Sequence, residues 1–293
     1  MSRKLLGQRE HCGRSRRIWT RRGSPVVEHR PYVPALTFDK VSAGYNGDFG
    51  LVNVSFSLDR GDRLAVVGPN GGGKTTLIKV ATGHLSASAG EVRVYGHAPL
   101  GHACIAYLPQ QSSVDWRFPV TVYDVVMMGR IGRLGPLRRP KRADRDVVWR
   151  ALERVQMDSL ASRRIGSLSG GQQQRVFIAR AMAQEAELML MDEPLVGLDT
   201  NSRDAVLQLV TDMADEGVTV VVALHDLGVA TAYFNAVLLL KGRAIGFGDP
   251  RSVFSPENLR AAYGSCLRMV KTDEGLFVVH DTACSGDDDV HTR

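Results

Sequence analysis

The octapeptide Gly68-Pro69-Asn70-Gly71-Gly72-Gly73-Lys74-Thr75 is the most informative segment of the chain. It follows a short apolar run at residues 64–67, which predicts a buried strand, and it precedes a helix that we expect to begin near Lys74. Glycines let successive backbone N–H groups converge on one anion, and the helix start adds the positive end of its dipole. The pattern predicts a phosphate-binding loop, with Lys74 on the β- and γ-phosphates and the Thr75 hydroxyl on Mg²⁺.

Strands and helices alternate on both sides of this loop. Residues 36–62 predict two strands, and the apolar runs at 188–192 and 218–224 predict buried ones. Between 112 and 166 helical patterns dominate, which indicates a helical insertion. We therefore expect an α/β fold with a mainly parallel sheet, an antiparallel β part and a helical subdomain.

Composition restricts the class of protein. The chain has 293 residues, of which 44% are hydrophobic and 23% charged, so a packed core is expected. No uninterrupted apolar run is long enough to span a bilayer. The cysteines are scattered and form no CxxC pair, which argues against a disulfide scaffold or a zinc ribbon; they are Cys12, Cys104, Cys266 and Cys284.

The positive charge is confined to the N-terminal arm. Residues 1–30 carry nine basic and two acidic side chains, a net charge of +7, whereas the whole chain carries +6. A disordered arm or a start codon placed too early are the simplest interpretations, and a transit peptide is the third. Because only Trp19 interrupts the basic residues as an aromatic, no nucleic-acid partner is expected.

Two further motifs accompany the loop. Residues 188–191 are apolar and lead into Asp192 and Glu193, which predicts a strand ending in one carboxylate for Mg²⁺ and one, on the opposite face, for the attacking water. The second motif, Leu168-Ser169-Gly170-Gly171-Gln172, predicts a helix start with Ser169 as its N-cap and exposed backbone N–H groups. One nucleotide needs only one such anion site in cis, so the second site indicates a role towards the ATP of another subunit.

Taken together, the ordered motifs resemble those of the ABC ATPase family. The phosphate loop is followed by Leu168-Ser169-Gly170-Gly171-Gln172, then by Asp192-Glu193-Pro194 only 23 residues after Ser169, then by His225. The resemblance covers about residues 36–265 and implies an ABC ATPase domain at 35–271, with the helical subdomain at about 112–168. Residues 1–34 are then a basic disordered extension and residues 272–293 a polar tail.

The resemblance also implies roles for single residues. Tyr45 matches the aromatic that stacks on adenine, Gln110 the glutamine that contacts Mg²⁺ and water, and Asp199 the aspartate of the loop after the carboxylates. Glu193, His225 and Gln110 are the implied catalytic residues, and Thr75, Gln110 and Asp192 the implied Mg²⁺ ligands. The implied ATP-binding residues are Tyr45, Gly68, Pro69, Asn70, Gly71, Gly72, Gly73, Lys74, Thr75, Thr76, Ser169, Gly170, Gly171, Gln172 and Asp199.

Alternatives remain for some of these assignments. Tyr45 as an ordinary turn aromatic and His225 as a hydrogen-bonded core histidine are the simpler interpretations, and Gln111 competes with Gln110. The family more commonly has Ser-Ala-Leu-Asp where this chain has Val196-Gly197-Leu198-Asp199, and Ala and Ser in place of Gly72 and Thr75. Both departures are mild.

The segment at residues 109–130 resembles the manganese/zinc/iron importer branch of the family, manganese-type members most of all. This branch implies a homodimer around two ATP molecules, separate membrane permease subunits, an extracytoplasmic metal-binding protein as an indirect partner, and a location on the cytoplasmic face of the membrane. We expect exposed Trp116 and Phe118 to suit a permease-docking patch, although both would also suit the core of the insertion. The alternative function is that of a soluble ABC ATPase of the iron–sulfur assembly type.

The C-terminal segment offers one further possibility. His280, Cys284 and His291 flank the acidic run at 287–289, a ligand mixture that would suit Mn²⁺ or Zn²⁺. Because the spacing matches no ordered site and a flexible segment loses chain entropy on binding, the solvated acidic tail is the favoured interpretation.

Overall fold

The computed structural model describes residues 32–45, 48–99, 104–110, 115–134, 138–264, 267–272 and 275–280. The strands are β1 (Leu36–Tyr45), β2 (Asp48–Leu58), β3 (Arg63–Val67), β4 (Ala89–Val94), β5 (Ile105–Leu108), β6 (Leu188–Asp192), β7 (Thr219–Leu224), β8 (Ala236–Lys241), β9 (Arg243–Gly248), β10 (Leu267–Thr272) and β11 (Gly275–His280). The helices are α1 (Lys74–Ala81), α2 (Val122–Met128), α3 (Ile131–Leu134), α4 (Arg142–Arg154), α5 (Gly170–Gln184), α6 (Thr200–Asp215), α7 (Leu227–Tyr233), α8 (Pro250–Val253) and α9 (Pro256–Tyr263).

The central sheet has the strand order β5-β6-β7-β3-β8-β9. All neighbours from β5 to β8 are parallel, and only β9 runs antiparallel, against β8. Every residue of β6 and β7 is buried, as expected for strands with helices on both faces. The predicted mainly parallel sheet is confirmed, and its carboxyl edge becomes the place where loop residues meet.

The antiparallel part is a separate sheet with the order β2-β1-β4. Val54, Phe56 and Leu58 are buried on β2, and the Phe38 and Phe56 rings stack with their centroids 4.8 Å apart. These residues share one apolar cluster with Leu77 and Ile78 of α1. Helix α1 therefore lies against both sheets, which fixes the loop that precedes it.

Helices α2, α3 and α4 lie in the stretch predicted to be a helical insertion. The stripe that predicted α4 is buried against α5 and the core; it consists of Val147, Val148, Ala151, Leu152 and Val155. Within the part of the chain that the structure describes, none of the helices combines the length and apolar character that a membrane span requires.

The C-terminal boundary differs from the prediction. Strand β10 pairs antiparallel with β11, so residues 275–280 form a strand within the segment for which a polar tail is expected. The apolar run at 276–279 favours a strand, and the acidic residues that follow it dominate the composition of the segment. Residues 1–31 of the predicted extension at 1–34 lie outside the described residues, as do Cys284, His291 and the acidic run at 287–289 in the tail.

Candidate active site at the carboxyl edge of the sheet

The carboxyl ends of four neighbouring strands bring the predicted site residues together. Gln110 follows β5, Asp192 and Glu193 end β6, His225 follows β7, and the loop at 68–73 follows β3. Because β5, β6, β7 and β3 are adjacent and parallel, these segments emerge at one edge of the sheet.

The glycine-rich loop leads directly into helix α1. Its N-cap, Gly73, has a φ of 96°, in the left-handed region, and makes no side-chain capping hydrogen bond. A Cβ at this position would overlap the carbonyl oxygen of Gly50, so the close approach of the two backbones requires glycine. The first turn of α1 thus keeps its N–H groups for an anion rather than for a capping side chain.

Lys74 lies inside this loop. Its Nζ donates hydrogen bonds to the carbonyl oxygens of Gly68 and Pro69, at 2.9 and 3.1 Å. Burial lowers the pKa of the ammonium group, while the carboxylates of Glu193 and Asp192 act in the opposite direction. The loop therefore holds a partly desolvated positive charge beside two carboxylates, an arrangement suited to a polyanion.

Asp192 and Thr75 form the pair predicted to hold Mg²⁺. The Thr75 hydroxyl donates to Oδ1 of Asp192 at 3.1 Å. Burial raises the pKa of the Asp192 carboxyl, and the Thr75 hydrogen bond opposes that change.

A magnesium ion fits this donor set. Mg²⁺ prefers oxygen ligands and is usually held by one or two protein groups together with substrate phosphates. Among the described residues, no group of three or more His, Cys, Asp or Glu side chains could hold a metal ion without such help. One hydroxyl and one carboxylate beside a phosphate loop match that preference.

Glu193 occupies the centre of the edge. Its Oε1 lies 2.5 Å from Nε2 of His225, and its Oε2 accepts a hydrogen bond from Nε2 of Gln110 at 3.0 Å. Its backbone has a φ of 52°, a left-handed conformation that costs a non-glycine residue roughly 1–2 kcal/mol. Both carboxylate oxygens are thereby fixed by partners from the two flanking strand ends, an arrangement that can hold a water molecule and accept its proton.

The second glycine-rich motif is placed differently. Ser169 is the exposed N-cap of α5; its Oγ accepts from the Gln172 N–H at 3.3 Å, and the Gln172 side chain accepts from the Ser169 N–H at 3.0 Å. Asp199, also exposed, caps α6 by accepting from the Ser202 N–H at 3.0 Å. The hydrogen bonds of the Ser169 and Asp199 side chains stay within the first turns of their own helices.

Tyr45 lies at the end of β1 with 49% of its surface exposed. The Lys79 Nζ, on α1, is 5.5 Å from the centre of its ring. The ring is therefore beside the helix that follows the phosphate loop, and it is accessible to a flat ligand. Gln111, the competing glutamine, lies outside the described residues.

One ion pair at the site has no signal in the sequence. Arg203 of α6 donates to Asp226, which follows His225 and also accepts from the Val229 N–H at 3.0 Å as the N-cap of α7. Burial raises the pKa of the Asp226 carboxyl, but these donors outweigh it and lower the pKa overall. The pair joins the segment after Asp199 to the segment after His225. Its two residues lie 23 positions apart in the chain, so only folding brings them into contact.

Of the two alternatives left open for Trp116 and Phe118, the structure favours the core for Trp116 and the exposed surface for Phe118. The Trp116 ring is partly buried and packs edge-on against Phe177 of α5, with the ring centroids 5.5 Å apart. Phe118 is 61% exposed, and Met128 and Ile131 are further exposed apolar residues nearby in sequence.

Known proteins are similar to most of this chain. The ABC transporter family model matches residues 51–196. The manganese transport system ATP-binding protein MntB of Bacillus subtilis is 43% identical over 237 residues, which cover 80% of this chain and 95% of that protein. The chelated iron transport system membrane protein YfeB of Yersinia pestis is 42% identical over 250 residues, covering 83% and 84%. Among solved structures, a chain of an inward-facing metal-chelate type ABC transporter superposes with a TM-score of 0.73 at 34% identity, covering 84% of this chain and 96% of that one.

Proposed function

The chain belongs to the ABC transporter family, and on that premise we propose that it is the ATP-hydrolysing subunit of an importer that takes up a divalent metal cation through separate permease subunits. The observation that carries the enzymatic part is the Glu193 carboxylate, fixed between Gln110 and His225 beside the phosphate loop. The metal is proposed from the names of the relatives, which are a manganese and a chelated-iron system.

Hydrolysis follows from the positions of the side chains. Lys74 and the N–H groups of α1 bind the phosphates, and Tyr45 stacks on the base. Glu193 accepts the proton of the attacking water, while Gln110 and His225 keep its carboxylate and that water in line with the terminal phosphate. Thr75 and Asp192 would hold Mg²⁺, which would supply positive charge to the phosphate oxygens.

We propose that two copies of the chain enclose two ATP molecules. Ser169 and Asp199 are exposed, and an isologous two-fold interface would place the α5 start of each copy on the ATP bound by the other. This arrangement uses both anion sites of the chain at once and leaves neither without a ligand.

The permease would dock on the helical subdomain. Phe118, Met128 and Ile131 expose apolar surface within residues 115–134, which we call the docking segment. The chain would then lie on the cytoplasmic face of the membrane as a peripheral subunit, with an extracytoplasmic metal-binding protein as an indirect partner. Manganese is the cation proposed first, followed by zinc and iron.

Reconstitution tests this function. The chain is co-expressed with a candidate permease from the same organism, and ATP-dependent Mn²⁺, Zn²⁺ and Fe²⁺ uptake is measured in proteoliposomes. We expect uptake of at least one cation with the natural chain and none with Glu193→Gln. Glu91→Gln, which changes an exposed carboxylate on β4, is the matched control and should transport normally.

Two results would contradict the proposal. One is uptake that persists in Glu193→Gln, which would remove the assigned role. The other is a chain that associates with soluble iron–sulfur assembly proteins and not with any permease, which would favour the alternative function.

A further inference from the structure

The C-terminal end of α5 is capped by side chains from the docking segment. The last carbonyl groups of a helix have no donor within the helix, and positive charge there is favourable. Arg130 Nη1 donates to the Ala183 carbonyl oxygen at 2.8 Å, and Arg133 donates to those of Gln184 and Glu185 at 2.9 and 3.1 Å. Two arginines that follow α2 thus close the end of the helix whose start is Ser169.

The same arginines share carboxylates with the elements on either side. Glu185 Oε2 pairs with Arg130 at 3.0 Å and with Arg133 at 2.7 Å. Arg130 also donates from Nε and Nη2 to Oδ1 of Asp144, in the first turn of α4, at 3.2 and 3.1 Å. The four side chains expose between 10% and 22% of their surface, so their charges are screened little by water.

Contact between the backbones reinforces these ion pairs. Gly129, at the end of α2, lies so close to α5 that a Cβ there would overlap the Arg180 carbonyl oxygen. Gln184 donates from Nε2 to the carbonyl oxygen of Ile105 at 2.7 Å, which fastens the same end of α5 to β5, the strand before Gln110. This end of α5 is therefore a junction of the docking segment, α4 and the central sheet.

The start of α5 lies far from this junction. The helix has 15 residues, so Ser169 is about 22 Å from it at a rise of about 1.5 Å per residue. A small rotation of the docking segment about the junction would displace Ser169 most.

We propose that Arg130 and Arg133 lock the docking segment and α5 into one rigid body, so that a displacement imposed on the docking segment moves Ser169 relative to the ATP of the partner subunit. The inference rests on the proposed function, because the permease is what displaces the docking segment. The two arginines are positioning residues and touch no nucleotide. Lysine would not replace Arg130, since only a planar guanidinium with several N–H groups can reach the Ala183 carbonyl, Glu185 and Asp144 at once.

Two substitutions test the lock, one at an arginine and one at the carboxylate that the arginines share. Arg133→Met removes one cation and keeps the apolar stem. Glu185→Gly removes the shared carboxylate but suits the backbone, because Glu185 has a φ of 54° as the C-cap of α5. Arg154→Met is the matched control: it breaks an ion pair of 2.6 Å with Glu216, at the C-cap of α6, and both partners lie outside α5 and the docking segment.

The first measurement is the ratio of ATPase activity with permease to that of the chain alone. We expect Arg133→Met and Glu185→Gly to lower this ratio roughly 3- to 30-fold, the range usual for coupling residues. The activity of the chain alone should remain within about two-fold, since neither residue belongs to the nucleotide site. An unchanged ratio, a parallel loss of both activities, or an equal fall in Arg154→Met would overturn the proposal.

The second measurement is amide hydrogen exchange in the full chain without permease. A rigid body opens as one unit, so residues 122–134 and 170–184 should share one opening free energy in the natural chain and separate ones in Arg133→Met. Separate values in the natural chain would overturn the lock. If the proposed function is wrong, no permease will stimulate the ATPase activity of the natural chain. Amide hydrogen exchange, which needs no permease, would still test the lock.

Discussion

Helices α1 and α5 both begin in glycine-rich sequence, but their first turns are prepared for an anion in different ways. The N-cap of α1 is Gly73, which has no side chain to offer, and Lys74 follows it in a buried position. The N-cap of α5 is Ser169, whose hydroxyl and partner Gln172 form a capping box. The first N–H groups of α1 donate no hydrogen bond to a capping side chain, whereas in α5 the Gln172 N–H donates one to Ser169.

The starts of α1 and α5 also differ in how far other segments enclose them. The start of α1 is enclosed by the ends of β5, β6 and β7, which contribute Gln110, Glu193 and His225. The start of α5 is exposed. One chain thus contains the proposed catalytic edge and, apart from it, the exposed start of α5. The comparison supports the proposal that the start of α5 acts on a nucleotide bound by another copy.

The largest expected effect comes from the catalytic edge. Glu193→Gln keeps the size of the side chain but removes the proton acceptor, so hydrolysis should slow by ~10³-fold, about 4 kcal/mol of barrier. ATP binding should persist, because the phosphate loop is unchanged. Steady-state hydrolysis and size-exclusion chromatography with ATP measure both, and the variant should accumulate an ATP-bound dimer. Near-normal turnover would rule out the assigned role of Glu193.

The second effect concerns the loop before α1. In Gly73→Ala the new Cβ meets the Gly50 carbonyl oxygen, and the left-handed φ of 96° adds strain. Nucleotide affinity should fall roughly 30-fold or more, equivalent to about 2 kcal/mol. Gly71→Ala is the matched control: it has a φ of 73° but open space around its Cβ, so it should lose only a few-fold. Titration with a fluorescent ATP analogue compares them, and equal losses would show that backbone strain rather than the clash matters.

The sequence predicts the parts of the site that depend on residues close together in the chain, and it misses those that depend on contacts between distant segments. The phosphate loop, Asp192 and Glu193 follow from local patterns, because strand, turn and helix are adjacent in the chain. The Arg203–Asp226 pair and the capping of α5 by Arg133 have no such signal, since they depend on how separate helices pack. Trp116 shows the converse: its residue type suited both a docking surface and a core, and only packing against Phe177 decided between them.

The third effect tests whether the start of α5 acts on a different nucleotide from the start of α1. Ser169→Ala removes the capping hydroxyl, which should destabilise the protein by about 1 kcal/mol. ATP affinity of the isolated chain should stay unchanged, while dimer formation by Glu193→Gln with ATP should weaken when Ser169→Ala is added. Thermal unfolding, nucleotide titration and chromatography measure the three quantities. Ser167→Ala, two residues before the cap, is the control and should not alter the dimer. A loss of ATP affinity in Ser169→Ala would place this hydroxyl in the chain's own nucleotide site.

The smallest effect is on stability and compares Asp192 at the α1 site with Asp199, which caps α6. Burial raises the pKa of Asp192 above the ordinary value of 3.8, so its contribution to stability is present below that value and is lost as pH rises through the folded pKa. The Ser202 hydrogen bonds lower the pKa of Asp199, so its contribution is present above 3.8 and is lost as pH falls through the folded pKa. At pH 7, without nucleotide and with a chelator, Asp192→Asn should raise the melting temperature and Asp199→Asn should lower it slightly or leave it unchanged, because asparagine also caps helices.

The rise in Asp192→Asn should amount to a few degrees, since a domain of this size changes by roughly 2–4 °C for each kcal/mol. The gain in Asp192→Asn should shrink as pH falls from 7 towards the raised pKa, because the natural carboxyl then becomes neutral as well. Asparagine keeps an oxygen that accepts from Thr75, so the hydrogen bond at 3.1 Å survives the change. Differential scanning calorimetry at several pH values between about 5 and 8 measures the trend. A gain that is independent of pH would show that the negative charge of Asp192 does not destabilise the carboxyl edge of the sheet. The start of α1 would then carry no electrostatic cost that the start of α5 lacks.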